Sequence, residues 1–310
     1  TGCNYSAKNT TLMNYLPDAH HHGAEIFTTV AVRYIEPAPV GWLVHFEILE
    51  AGRELFGNQP LFVHARQVIL AAGTLGSTEI LLRSAEKGLP LSPALGQHFN
   101  GNADFLGFAY DCDTPINGIG AGSHPLRGRE PVGPCITSYI DLRQDVPLKD
   151  GLVVEEGSIP GAVASLLPAA FGLAADVEGQ PTQTSLWDRF KAQLRTLQSN
   201  LFGAYTGAVH NTQTYLVMGH DNDRGRMGLE RDVLQVAWPG VGKSPIFSTI
   251  TEVLHQATKP LAGTYLKEPL WNHYTREQLI TVHPLGGCVM ADDASAGVVN
   301  DQIGRAACRE

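Results

Sequence analysis

His283 opens the sequence HPLGGCVM at 283–290, and its setting is the strongest chemical signal in the chain. An imidazole titrates near neutrality and can take the proton of a substrate hydroxyl. Pro284, Gly286 and Gly287 would fix the ring on a tight turn. The competing reading is a core histidine satisfied by backbone. A second signal is the acidic pair Glu155 and Glu156, which ends the apolar run LVV at 152–154 and precedes Gly157 and Pro160. A carboxyl so placed can act as a general base; a solvated hairpin edge is the alternative. A third is the run QVILAAGTLGST at 67–78. It reads as a strand, a glycine turn at Gly73 and a helix start. Ala72, Gly73 and Gly76 let backbone approach a flat ligand, and the helix end offers N–H groups and positive dipole to an anion. An ordinary strand-to-helix turn is the alternative. Asn102, in Asn100-Gly101-Asn102, offers a donor and an acceptor, or is simply a turn residue. His20, His21 and His22 invite a metal reading. Adjacent histidines point in different directions, so a solvated turn before Gly23 is favoured. Cys288 reads as a motif residue and not as a nucleophile.

The elements that would position these residues can be read from the pattern. Strands are expected over 24–35, 42–49 and 61–71, the last buried on both faces as in a parallel sheet. A helix is expected over 74–87. Beyond residue 100 the pattern changes to short strands at 105–110, 135–142 and 152–155, helices at 162–175 and 184–201, and strands at 212–218 and 233–238. The polar run 219–225 between the last two reads as a hairpin turn. Ser244 and Pro245 open a helix to about residue 258. Trp187, Phe190, Leu194, Leu197 and Leu201 recur at helical spacing, which implies helix packing first and a cavity wall second. The fold class is α/β plus α+β: part of a doubly wound domain joined to a domain with an antiparallel sheet.

The chain has 310 residues, 43% hydrophobic and 17% charged, which excludes global disorder. Its 33 Gly and 19 Pro imply a loop-rich fold. Net charge is −9 with no basic tract, which argues against a nucleic-acid partner. The five scattered cysteines make neither a disulfide framework nor a metal knuckle. No apolar run approaches about 20 residues, so no transmembrane segment is expected; transient contact with a membrane surface stays open. The chain opens on Thr1, without an initiator Met, and reads as an internal piece of a longer protein. Residues 303–310 read as a non-native tail, an ordinary polar tail being the alternative.

Three blocks resemble the glucose–methanol–choline family of flavin oxidoreductases, in its bacterial cholesterol-oxidase-like branch. They are GCNYSAKNTTLMNYL at 2–16 with GAEI at 23–26, LAAGTLGSTEILLR at 70–83 with NGN at 100–102, and HPLGGCVM at 283–290 with GVVN at 297–300. The resemblance implies FAD as cofactor and oxidation of a secondary alcohol by hydride transfer to flavin N5. A 3-hydroxysteroid such as cholesterol is the implied substrate, with O2 or another electron acceptor completing the cycle. It places His283 over the flavin and facing the substrate oxygen. Asn102 would lie at the floor of the site, and Glu155 would be the base of a double-bond isomerisation. Val32 would meet the adenine through its backbone; Ala72, Gly73, Gly76 and Gly286 would complete the cofactor contacts. The implied division is a partial FAD-binding domain over 1–100, a substrate domain over 101–280 and a return to the FAD-binding domain over 281–302. The family's GxGxxG unit and closing Asn-Pro segment are not in this chain, so weak FAD binding by the chain alone is expected. The alternatives are the same chemistry on a sugar, a choline-like or another small alcohol, or a non-catalytic domain that keeps the fold.

Overall fold

The computed structural model describes residues 8–50, 61–120, 132, 135–182, 185–268, 270–272, 275 and 277–300. Part of the first resembling block, at 2–7, and the tail at 303–310 lie outside the described residues. The strands are β1 (Val30–Pro37), β2 (Trp42–Ile48), β3 (Leu61–Ala65), β4 (Phe105–Tyr110), β5 (Tyr139–Asp141), β6 (Val153–Gly157), β7 (Gln180–Pro181), β8 (Gln213–Met218), β9 (Arg226–Glu230), β10 (Val233–Ala237) and β11 (Thr264–Lys267). The helices are α1 (Tyr15–His21), α2 (Gly73–Glu86), α3 (Leu167–Glu178), α4 (Leu186–Phe202), α5 (Gly207–His210) and α6 (Pro245–Thr258). The chain forms two compact units. Among the described residues, one holds those of 101–221 and 240–283; the other holds those of 9–100, 222–239 and 284–300.

The first unit is built on a six-stranded sheet in the order β5-β6-β8-β4-β11-β7, every pair antiparallel. Alternation along a strand sends successive side chains to opposite faces. Val154, Val217 and Phe105 align across three strands and pack with Phe247, Ile250 and Leu254 of α6. Tyr110 and Leu266 face the other way, onto Leu167 and Phe171 of α3 and Ala208 and Val209 of α5. Arg195 ties α4 to the end of β4 through the buried Asp111 carboxylate. Burial pushes that carboxyl up to about 6, against the pull of the Arg195 hydrogen bond and charge.

In the second unit, α2 lies on the sheet β1-β2-β3, with Ile80 and Leu81 against Ile35 and Val298. The Ser84 hydroxyl accepts from Ile35 N at 2.9 Å.

Several expectations need correction. Residues 66–72 are not a strand, and Ile69 is 90% exposed. A strand needs a backbone partner, and among the described residues none pairs with this segment, although Val68 and Leu70 pack against the core. All pairings between described strands are antiparallel, so the doubly wound parallel half is not visible in the described residues. The expected hairpin between 212–218 and 233–238 is not formed. β8 joins the large sheet, and β10 pairs with β9, a strand the sequence reading passed over. Arg231 and Asp232, at φ 51° and 64°, make the two-residue turn between them. Residues 24–29 and 135–138 fall outside strands. The α4 stripe is not packed inside: Trp187, Phe190, Leu194, Leu197 and Leu201 are all exposed. The stretch Gly161–Glu178 is long and apolar enough to pass for a membrane span by length and composition. It nevertheless buries Ala164, Leu167 and Phe171 in the core of its unit.

Candidate active site

Two buried acids of the first unit, Asp104 and Glu268, hold the segment that leads to His283. β4 is preceded by a tight turn in which Asp104 N donates to Gly101 O at 3.1 Å. The central residues, Asn102 and Ala103, have φ of +56° and +47°, the signs of a type I′ turn. Asparagine tolerates that conformation, whereas for alanine it is strained. The Asp221 carboxylate holds the turn in place, accepting from Gly101 N at 3.0 Å and Ala103 N at 2.9 Å. Burial raises the Asp221 carboxyl above its ordinary value, and these two N–H groups pull it part of the way back.

The turn delivers Asp104, whose side chain is 2% exposed. Its Oδ1 lies 2.9 Å from His283 Nδ1. Its Oδ2 accepts from Val282 N at 2.6 Å and His283 N at 2.9 Å, and the Thr281 hydroxyl lies 3.0 Å away. That hydroxyl also reaches Gly101 O at 3.0 Å. One carboxylate thus grips both the ring and the backbone of the histidine, while the His283 side chain stays 43% exposed. Immediately after β11 lies Glu268, fully buried, whose Oε1 accepts from Ile280 N at 3.0 Å. Its Oε2 has no hydrogen-bond partner among the described residues. Burial pushes the Glu268 carboxyl up to about 7; the N–H groups of Ile280 and Leu106 oppose this, and the Asp104 charge adds to it. Asp104, Asp221 and Glu268 escaped the sequence reading. The only local signal was an acid directly ahead of an apolar strand, in Asn102-Ala103-Asp104-Phe105.

Asn102 therefore shares one network with His283, and its turn conformation alone accounts for an asparagine there. Glu155 sits on β6, in register with Leu216 of β8 and, through it, Leu106 of β4. These three occupy the face opposite Val154 and Phe105, where α3 leaves them half-buried. No hydrogen bond joins Glu155 to His283 or Asp104 among the described residues. Its neighbour Glu156 is engaged: Thr137 N donates to it at 2.9 Å, Ser138 Oγ at 3.0 Å, and the Thr137 hydroxyl is also bonded to it. Burial pushes the Glu156 carboxyl up, but these donors outweigh it and leave it below the ordinary range.

The remaining predicted residues lie in the second unit. No side chain caps α2, and Ala71, Ala72 and Gly73 are exposed. A Cβ on Gly73, where φ is +70°, would meet nothing within 4 Å. Exposed backbone beside small, open residues at the start of α2 fits the phosphates or flat ring of a flavin dinucleotide, although Ala72 N already donates to Ser77 Oγ at 3.1 Å. Gly76 is half-buried in the first turn of the same helix. Thr74 Oγ1 donates to Pro284 O at 2.8 Å, and Thr78 Oγ1 lies 3.5 Å from Cys288 Sγ. Burial raises the Cys288 thiol, in spite of Thr78. Gly286 has a structural reason of its own: at φ +95° its Cβ would stand 2.0 Å from His98 O. Val32 precedes a bulge in β1 and packs part of its side chain in the core. His20, His21 and His22 lie exposed at the end of α1, and the described residues hold no group of three or more potential ligands.

This chain is similar to cholesterol oxidases. It is 24% identical over 326 residues to a cholesterol oxidase of Mycobacterium tuberculosis, an alignment covering 97% of this chain and 50% of that protein. It is 33% identical over 132 residues to a cholesterol oxidase of Acinetobacter baumannii, covering 40% of this chain and 24% of that protein. The chain spans about half the length of the first of these relatives. No family model matches it.

Proposed function

We propose that the protein carrying this chain is a flavin-dependent oxidoreductase that oxidises an alcohol, with His283 as the acceptor of the hydroxyl proton. The observation behind this reading is the Asp104–His283 pair: a buried carboxylate fixes Nδ1 and the backbone, while the ring stays accessible to a substrate. Similarity to cholesterol oxidases supports the choice of chemistry and points to a bulky secondary alcohol of the 3-hydroxysteroid class. FAD, when bound, supplies the acceptor for the hydride of the carbinol carbon. Ala72, Gly73 and Gly76 at the start of α2 would hold the cofactor, with backbone at Val32 and Gly286. His283 Nε2 takes the O–H proton, so the carbinol becomes a carbonyl and charge is conserved. O2 or another electron acceptor then closes the cycle.

Glu155, half-buried on the face of the sheet opposite Val154, is the group we assign to moving a proton if the product is a Δ5-3-ketosteroid. The carbonyl acidifies the neighbouring C–H, and a carboxylate above it can shift the double bond into conjugation. The test uses the flavin-loaded protein with a Δ5-3-hydroxysteroid, followed by ultraviolet absorption. Conjugated enone from the wild type, and unconjugated ketone accumulating in Glu155→Gln, is the expected result. Turnover of small alcohols without steroid oxidation would overturn the sterol assignment. Enone at the wild-type rate in Glu155→Gln would remove Glu155 from the isomerisation.

A further inference from the structure

We propose that Asp104 is the positioning residue of His283: it holds the imidazole in the Nδ1–H form, leaving Nε2 as the acceptor, and it supports the imidazolium that forms when a proton arrives. This rests on the reading of His283 as the proton acceptor.

The argument is one of donors and acceptors. An ionised carboxylate has acceptors only. Oδ2 is already committed to the backbone N–H groups of Val282 and His283. Oδ1 faces Nδ1 at 2.9 Å, so the ring nitrogen there must carry the hydrogen. A neutral imidazole has a single N–H, which leaves the lone pair on Nε2. Burial of the Asp104 side chain keeps water from replacing it. The supports on both sides are also fixed. Asp221 pins the 101–104 turn from one direction, and Glu268 holds Ile280 N ahead of the 281–283 segment. A ring held by its own N–H loses little freedom when it receives a proton, and the nearby negative charge offsets the positive charge that develops.

The replacement Asp104→Asn makes the idea testable, because an amide has one oxygen where the carboxylate has two. Val282 N and His283 N both claim that oxygen, so the NH2 group must turn toward Nδ1. The ring can then meet it only as an acceptor, which forces the Nε2–H form. The measurement is the ¹⁵N spectrum of histidine-labelled chain at a pH where the ring is neutral, with His283→Gln to assign the signal. The wild type is expected to show a protonated, pyrrole-type Nδ1 and a pyridine-type Nε2. In Asp104→Asn the two types should exchange, and turnover of the flavin-loaded protein should fall by about 10²–10⁴-fold. A merely structural carboxylate would not reverse the tautomer. An Nε2–H ring in the wild type, or an unchanged tautomer in folded Asp104→Asn, overturns the proposal. If Asp104→Asn does not fold, the wild-type spectrum decides alone. If the tautomer reverses as expected while His283→Gln keeps its turnover, the positioning stands and the catalytic reading of His283 fails.

Discussion

His283 and Asp104 stand 179 positions apart, and that distance explains which half of the pair could be read. A histidine in a Pro/Gly turn announces itself locally. A carboxylate that reaches it only through the pairing of distant segments does not. Glu268 is hidden for a different reason: it meets Ile280 N only 12 positions on, but its burial beside the end of β11, which pairs with β4, is not visible locally. Its titration should be visible in stability. The carboxyl is pushed up to about 7 in the folded chain, from an ordinary value of 4.5. The folded state therefore holds the proton more tightly than the unfolded state. Below about pH 4.5 both states are protonated and this contribution is fully present. It drains away as pH rises toward about 7 and is gone above that. Glu268→Gln keeps a neutral group at the same place. Denaturant unfolding of both forms across this window should show the wild type losing of order 3 kcal/mol relative to Glu268→Gln. Parallel pH profiles would mean that Glu268 is not protonated in the folded chain.

Elements were readable where one local rule governed them. The helix α2 follows its glycine turn, and α6 follows Ser244 and Pro245, although Ser244 makes no side-chain cap. Two of the failures have clear tertiary causes. The apolar run at 68–72 has the composition of a buried strand but lacks strand neighbours in the described structure. The β9–β10 hairpin turns on Arg231 and Asp232, which carry no glycine or asparagine signature. Arginine contacts tie that turn down: Asp232 meets Arg83 Nε at 2.5 Å, accepts from Arg83 Nη2 through its backbone oxygen at 2.9 Å, and pairs with Arg33. Arg83 is 7% exposed and also pairs with Glu79 at 2.5 Å, so removing Asp232 takes one of its two carboxylates and leaves the other. Asp232→Ala should destabilise the chain by about 1–3 kcal/mol in denaturant unfolding, partly through the left-handed backbone at that position. Asp232→Asn, which tolerates that backbone and keeps an acceptor, should cost less than half as much. Equal losses would locate the effect in the charge and not in the turn.

At the scale of the whole molecule, the composition excluded disorder and pointed to many tight turns, and the described chain has both properties. A mixture of helices with antiparallel sheets was legible beyond residue 100, where short apolar runs alternate with Gly and Pro. It was less legible before that, because the strand expected at 61–71 depended on neighbours that periodicity does not report. The exposure of the α4 stripe was equally out of reach, since spacing shows that a face is apolar but not whether anything covers it. The chemistry assigned here converges on one ring. The most direct test is His283→Gln in the flavin-loaded protein, with bound flavin read from its absorption bands and turnover measured on the alcohol the wild type oxidises. The account predicts retained flavin and turnover lowered by about 10²–10⁴-fold, the usual weight of a positioned proton acceptor. Near-normal turnover with the flavin in place would contradict it.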